Sequence, residues 1–512
     1  MISIHGPAVS KVDRLDPRYI NLLSANRRLA KKDATLWGAA AAKEAENRLN
    51  WIDLASTSRD LLPELDSLHA RFRDFTRVVL CGMGGSSLAP EVIASTFGKE
   101  LFVLDSTDPD YVGRSFAGDL ASTVVVVSSK SGSTIETSSQ LALFEDQFTK
   151  ANLMPKNHIV IVTDPGSPLD AASRAKGYTV VNADPQVGGR FSALTAFGLV
   201  PSALLGIDIS VLLDSAADAR EILENENSLA VDLAYLISFC AGQYCAFTDA
   251  ESGMIGLADW IEQLIAESTG KDGAGRLPVV TESTTAPVAG DALNISFSGK
   301  GELVVQGELG EHFLLWEWIT ALVGYALQID PFNQPNVTEA KLKTAALLAN
   351  WVSNPPVPVP NFVEGSVQIF AAAASVQAAL LTVIDHVPDD GYISIMAYLD
   401  RKDDEELAQL RSILATKSGR PVTFGWGPRF LHSTGQFHKG GQQNGVFLQI
   451  TGANRNDIDI PGKSFSFGTL IQAQALGDGQ TLTERNRLVV RLHLTNRENG
   501  ISEILSAARE II

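Results

Sequence analysis

Between Arg77 and Asn182 the chain repeats one pattern: a short run of apolar, largely β-branched residues, then a turn, then a stretch of helical character. The runs are RVVL from Arg77, LFVLD from Leu101, TVVVVSS from Thr123, HIVIVTD from His158 and YTVVN from Tyr178. Continuous apolar runs of this length alternating with helices predict a parallel sheet covered by helices on both faces. Residues 1–75 read as helical and charged, for example Asp33 to Leu49. Ser192 to about Leu264 reads as helical, 277–310 as strands and loops, and His312–Leu327 and Val337–Val352 as helices. NPPVPVPNF, Asn354 to Phe362, reads as a linker, because its four prolines cannot hold regular structure. After it, apolar runs at Gly391–Asp400, Val446–Ile450 and Leu488–Leu494 alternate with helical segments, so α/β architecture resumes.

With 512 residues, 45% of them hydrophobic and 20% charged, the chain has enough interior for two to four domains of ordinary globular composition. No apolar stretch reaches the ~18 residues of a membrane span, and the first residues lack the basic flank and apolar core of a signal peptide. Three cysteines, Cys81, Cys240 and Cys245, make no disulfide framework, so a reducing cytoplasm is expected. The eight histidines include no metal-ligand spacing, so no metal is expected. The net charge of −18 repels nucleic acid and anionic membranes at long range, so neither is expected as a partner. The same field repels any phosphorylated ligand. Such a ligand would have to be held by local backbone N–H groups and a few cations.

Three turns meet that demand. CGMGGSSLAP, Cys81 to Pro90, follows a strand and opens a helix, and its glycines let backbone N–H groups approach an anion. A tight strand-to-helix turn with no ligand is the equal alternative, since the spacing fits neither Walker nor Rossmann loops. SSKSGSTIET, Ser128 to Thr137, places Ser129, Ser131, Ser133 and Thr134 beside a helix N-terminus, with Lys130 as a cation. Four hydroxyls exceed what an N-cap uses, which favours a phosphate nest over capping alone. VGGRFSALTAFGLVP, Val187 to Pro201, puts Arg190 on a short approach after two glycines, suited to a developing negative charge or, alternatively, to a helix start at the surface.

Together these stretches resemble the phosphoglucose isomerase family. VGGRFSALTAFG is similar to one of its two signature patterns, SSKSGSTIET to its SKT-x-TT-x-ET phosphate turn, and GGSSLAP to its GGS-x-LGP turn. QLIAESTGKDG, Gln263 to Gly273, resembles the base-bearing ES-x-GK segment. FNQPNVTEAK, Phe332 to Lys341, resembles the second signature, FDQ-x-GVE-x-x-K, departing at Asn333, Asn336 and Thr338. The family's histidine lies in an LHS-x-GQ segment between these two; here FLHSTGQFHKGG, Phe430 to Gly441, matches it far downstream. In this the chain resembles the isomerase half of transaldolase–isomerase fusions.

The resemblance implies an α/β fold of two doubly wound sugar-isomerase (SIS-type) subdomains, with parallel sheets flanked by helices. The implied organisation is a helical segment at 1–70, a first subdomain at 71–225, the first part of a second at 226–353, a linker at 354–362, and an α/β segment at 363–512 completing the second. It implies interconversion of aldose and ketose hexose 6-phosphates through a cis-enediol, with no cofactor. Glu267 is then the base, Arg190 stabilises the enediolate, and His432 and Lys341 serve ring opening. Gly85, Ser86, Ser129, Lys130, Ser131, Thr134, Gly189, Gln263 and Gln334 bind substrate. His438 and Lys439 are either supporting or surface groups, His312 is structural, and Cys81 is buried. The family commonly forms homodimers whose histidine reaches the neighbouring site; a relocated His432 leaves open whether it serves its own. Two alternatives stay open: a phosphosugar-binding regulator without chemistry, and an isomerase that also accepts mannose 6-phosphate.

Overall fold

The computed structural model describes residues 1–225, 228–288, 291–351 and 358–511. A short strand, β1 (Ser3–His5), precedes a set of helices running to Phe72. The five apolar runs then form β2 (Arg77–Gly82), β3 (Phe102–Leu104), β4 (Thr123–Ser128), β5 (Ile159–Thr163) and β6 (Thr179–Asn182), all parallel, in the order β3-β2-β4-β5-β6. The strand periodicity explains their uniform hydrophobicity. Val124 and Val126 face the core shared with the second subdomain, while Val125 and Val127 face the opposite core. Helix α1 (Leu88–Thr96) follows β2, and α2 (Ile135–Lys150) follows β4.

The second sheet contains β7 (Tyr244–Thr248), β8 (Leu277–Val280), β9 (Leu293–Ser296) and β10 (Leu303–Gln306), parallel to one another. The N-terminal β1 closes its edge by antiparallel pairing with β10. Helix α3 (Leu257–Thr269) links β7 to β8. Helix α4 (Leu309–Ala326) runs buried through the core, and α5 (Val337–Asn350) follows it. Two strands therefore stand where helix was expected, β1 and β7. Each is a short apolar run among helices, where periodicity alone does not separate strand from buried helix.

The segment after the proline-rich stretch departs from expectation more. It does not add strands to the second sheet. It builds a third, in the order β11-β12-β16-β15-β13-β14: β11 (Phe362–Glu364), β12 (Val367–Phe370), β13 (Tyr392–Tyr398), β14 (Val422–Trp426), β15 (Gly445–Gly452) and β16 (Val489–Leu494). One face of this sheet closes a core of its own, containing Val383, Ile395, Leu448 and Leu492. That self-sufficiency is why it stands apart. Its other face packs Tyr392, Met396 and Phe447 with Tyr244, Ala266 and Leu277 of the second subdomain, and Phe437 of α6 (Gly435–Gly440) joins them. Helix α7 (Phe467–Glu484) covers the first sheet, with Phe467 and Leu470 beside Val125 and Phe144. Of the linker, residues 352–357 lie outside the described residues, as does the last residue of the helix read to Val352; Pro358 to Asn361 carry no helix or strand.

In the first sheet the chain goes from β2 to β3 on one side and to β4 on the other. The crevice outside their carboxyl ends is a topological switch point, where ligands of open α/β sheets bind.

Candidate active site

Two turns flank that crevice. After β2, Gly84–Ser86 make a single 3-10 turn that leads into α1. Gly84 has φ +55°, and a Cβ on Gly85 would lie 1.9 Å from the carbonyl oxygen of Gly189, so two glycine backbones meet here at a distance no other residue allows. After β4, Ser129 to Thr134 lead into α2. Thr134 occupies the N-cap position but makes no capping hydrogen bond; instead its hydroxyl accepts from that of Ser129 at 3.2 Å. The hydroxyls of Ser131 and Ser133 are 3.0 Å apart. A set of hydroxyls not spent on capping, beside the N-terminus of a 16-residue helix, is a site for an anion. Lys130 adds less charge than expected, because its ammonium pairs with Asp164 at 2.5 Å.

Opposite these turns, α3 carries Gln263 and Glu267 one turn apart, both buried. The Gln263 amide donates to Glu267 Oε2 at 3.0 Å and to the carbonyl of His432 at 2.9 Å. Its own oxygen is buried without a hydrogen-bond partner among the described residues. Arg190 is fixed by four hydrogen bonds: to Ser268 Oγ at 2.7 Å, Gln334 Oε1 at 2.9 Å, the Pro331 carbonyl at 2.5 Å and the Asn333 carbonyl at 3.2 Å. Its Nη1 is 3.3 Å from Glu267 Oε1. Burial pulls its pKa below the usual arginine value, though Glu267 and Asp330 oppose this.

Two departures from the family's second signature have partners of their own. Lys271, buried, donates to the Asn333 carbonyl at 2.5 Å, to Asn333 Oδ1 at 2.9 Å and to the Asp330 carbonyl, which secures the loop that carries Gln334. Asn336 pairs reciprocally with Gln436 of the histidine segment: its N–H donates at 3.0 Å and its Oδ1 accepts at 2.8 Å. The side chain of Thr338 lies outside the described residues.

His432 ends the 3-10 turn Arg429–His432 after β14. Its Nε2 lies 3.1 Å from Glu136 Oε1, which also accepts from Gln474 of α7 at 2.7 Å. Burial would raise the Glu136 carboxyl, but facing His432, with Lys341 adding, it stays below the usual carboxylate range. Neither Glu136 nor Gln474 was among the expected site residues. Glu136 is legible afterwards as the glutamate that ends the SSKSGSTIET match, whereas Gln474 has no local signal.

A cleft of about 420 Å³ is lined by all of the expected residues: Gly85, Ser86, Ser129, Lys130, Ser131, Thr134, Gly189, Arg190, Gln263, Glu267, Gln334, Lys341 and His432. All of these lining residues come from one chain. Lys341 is exposed at its rim on α5 and makes no hydrogen bond to the described residues. Two other histidines, His438 and His312, are buried away from the cleft. His438 is buried between the Tyr392 hydroxyl at 2.9 Å and the Ser394 hydroxyl at 3.2 Å, and burial pushes its pKa down to about 3. His312 is buried in α4, with its pKa likewise about 3. Lys439 is not at the surface but in a buried ion pair with Asp478 at 2.6 Å. Cys81 is buried, and burial raises its thiol pKa. Among the described residues no His, Cys, Asp and Glu side chains cluster as a metal site, and no helix is long and apolar enough to cross a membrane.

No family model matches the sequence. Curated relatives do. A protein named "probable glucose-6-phosphate isomerase" from Haloarcula marismortui is 32% identical over 254 residues, 47% of this chain and 58% of its own length. The glucose-6-phosphate isomerase of Methanocaldococcus jannaschii is 28% identical over 296 residues, 53% of this chain and 73% of its own. Among solved structures, a glucose-6-phosphate isomerase from Chlamydia trachomatis is similar in fold: TM-score 0.53 at 20% identity, covering 69% of this chain and 89% of that one.

Proposed function

We propose that this chain is a glucose-6-phosphate isomerase, as its similarity to curated relatives of that name supports, and that it interconverts glucose 6-phosphate and fructose 6-phosphate within the cleft described above. The observation that carries the proposal is the convergence of Arg190, Glu267, His432 and Lys341 on one cleft, opposite an uncapped hydroxyl turn. A regulator that only senses phosphosugars needs the hydroxyl turns. It has no use for a carboxylate and a guanidinium 3.3 Å apart at the other end.

The reaction follows from the placement of these groups. The phosphate sits against Ser86, Ser129, Ser131 and Thr134 at the α2 N-terminus, where hydroxyls and the helix dipole favour negative charge despite the acidic surface. Opening the ring breaks the C1–O5 bond; O1 loses a proton and O5 gains one. His432, paired through Nε2 with Glu136, and Lys341 at the rim carry those two protons. Glu267 removes the proton from C2 and returns it to C1, the proton of the O2 hydroxyl passes to O1 as the carbonyl moves from C1 to C2, and Arg190 faces the charge that develops on oxygen in between. Gln263 and Gln334 orient sugar hydroxyls. His432 serves the site of its own chain, whether or not the protein is a homodimer. The free cysteines fit a reducing cytoplasm as its place of work.

The test is direct. Purified protein is assayed with glucose, fructose and mannose 6-phosphates. Turnover between the first two supports the reading, turnover of mannose 6-phosphate as well broadens it, and binding without turnover of any of them refutes it.

A further inference from the structure

His432 reaches the cleft on a single turn of 3-10 helix that grows from the third sheet, not from either sheet that builds the rest of the site. A turn this short cannot fix a side chain by its own hydrogen bonds. Glu136 and the Gln263 amide meet His432 itself, and its turn is also anchored at the other end. Arg429, its first residue, lines a separate cavity of about 400 Å³, between α1, α3 and β14. There it enters a ring of four charges. Arg429 Nη1 is 2.8 Å from Glu91 Oε2 and 3.1 Å from Asp105 Oδ2. Arg401, which follows β13, is 2.6 Å from Glu91 Oε1 and 3.6 Å from Asp105 Oδ1. Both guanidinium groups belong to the C-terminal unit and both carboxylates to the first subdomain. The Asp105 side chain is 1% exposed and that of Arg429 12%, so solvent screens little of the attraction. Glu91 lies on α1, the helix opened by the Gly84–Ser86 turn. The ring therefore ties the turn that carries His432 to the helix behind one wall of the cleft.

We propose that Arg429, clamped by Glu91 and Asp105, is a positioning residue that fixes His432 over the ring-closed substrate. The proposal rests on the reading of His432 as the ring-opening group. Arg429 touches no reacting atom. Its effect falls mainly on the step His432 serves, because Glu267 is carried by α3 and Arg190 is held by Ser268 and the Pro331–Gln334 loop; the one link to the His432 turn is the Gln263 amide, which donates to Glu267 and to the His432 carbonyl. A misplacement of about 1 Å is enough to cost roughly 100-fold in such a step.

The test compares Arg429→Met, Arg429→Lys and His432→Ala with wild type in two reactions: turnover of ring-closed glucose 6-phosphate, and solvent proton exchange into an aldose phosphate too short to cyclise. Arg429→Met is expected to lose at least ~10-fold in the first, by the misplacement argument, with exchange nearly unchanged. Arg429→Lys keeps the charge but not the reach and shape of the guanidinium, and is expected to fall between. If Arg429→Met is too unstable to purify, Arg429→Lys and Glu91→Gln carry the same comparison. Equal losses in both reactions, or wild-type turnover in these variants while His432→Ala is impaired, would overturn the lock alone. A His432→Ala enzyme with wild-type turnover of the closed sugar would overturn the reading of the site as well.

Discussion

The carbonyl of His432 and the carboxylate of Glu267 share one donor, the side-chain amide of Gln263, at 2.9 and 3.0 Å. Through that amide a residue of the third sheet's loops is registered against the second subdomain's central helix. The two groups assigned to ring opening and proton transfer thus keep a fixed relation across a boundary between separately built sheets.

Replacing Glu267 with Gln keeps the contact to Gln263 and removes the base. Turnover should fall at least ~10²-fold, with KM within a few-fold of wild type. Steady-state kinetics in both directions check this, and near-normal kcat would place the base on another residue.

The phosphate turn predicts the opposite split. Changing Ser129, Ser131 and Thr134 together to Ala should raise KM for 6-phosphosugars about tenfold or more and weaken inhibition by inorganic phosphate in parallel, since each lost hydrogen bond to a charged oxygen is worth about 1.5–3 kcal/mol. Unaltered phosphate inhibition would move the anion site elsewhere.

Glu136 touches His432, not the substrate. Glu136→Gln keeps the size of the side chain and removes the charge facing Nε2 at 3.1 Å. It should slow turnover of ring-closed glucose 6-phosphate by about tenfold or more while sparing proton exchange into an open-chain aldose phosphate. Wild-type turnover of the closed sugar in Glu136→Gln would make the contact incidental.

Glu317 predicts a stability change remote from the site. It is fully buried in α4, neither carboxylate oxygen has a hydrogen-bond partner among the described residues, and burial raises its pKa well above the usual value. A carboxyl that stays neutral when folded but ionises when unfolded costs stability as pH rises above the unfolded value, by up to about 1.4 kcal/mol per pH unit until the folded pKa is reached. Glu317→Gln should therefore melt higher than wild type at pH 8, with the gap closing toward pH 4.5. A gap that is constant with pH would show that Glu317 does not titrate on unfolding.

Much of the first subdomain was legible because its signals are local. A β-branched run, a glycine or serine turn and a helix N-terminus specify strand, nest and helix within about a dozen residues, and the crevice between β2 and β4 follows from their order. Glu267, Arg190 and Gln334 were found through short motifs of the same kind. Gln474 and Arg429 were not, for neither carries a local pattern; each acquires its role from a partner on another sheet, Glu136 or Glu91.

Propensity, periodicity and turn chemistry act over a few residues, so the class of the fold and the turns beside the cleft were legible from them, while the resemblance of short segments to a known family's motifs named Glu267, Gln334, Lys341 and His432. Only the tertiary structure decided that residues 362–494 close a third sheet with its own core, that Lys130 spends its charge on Asp164, and that His432 meets Glu136 within one chain. Those outcomes depend on how three sheets stack and which buried charges find partners. They are set by contacts between residues up to hundreds of positions apart, whose energies no local pattern encodes.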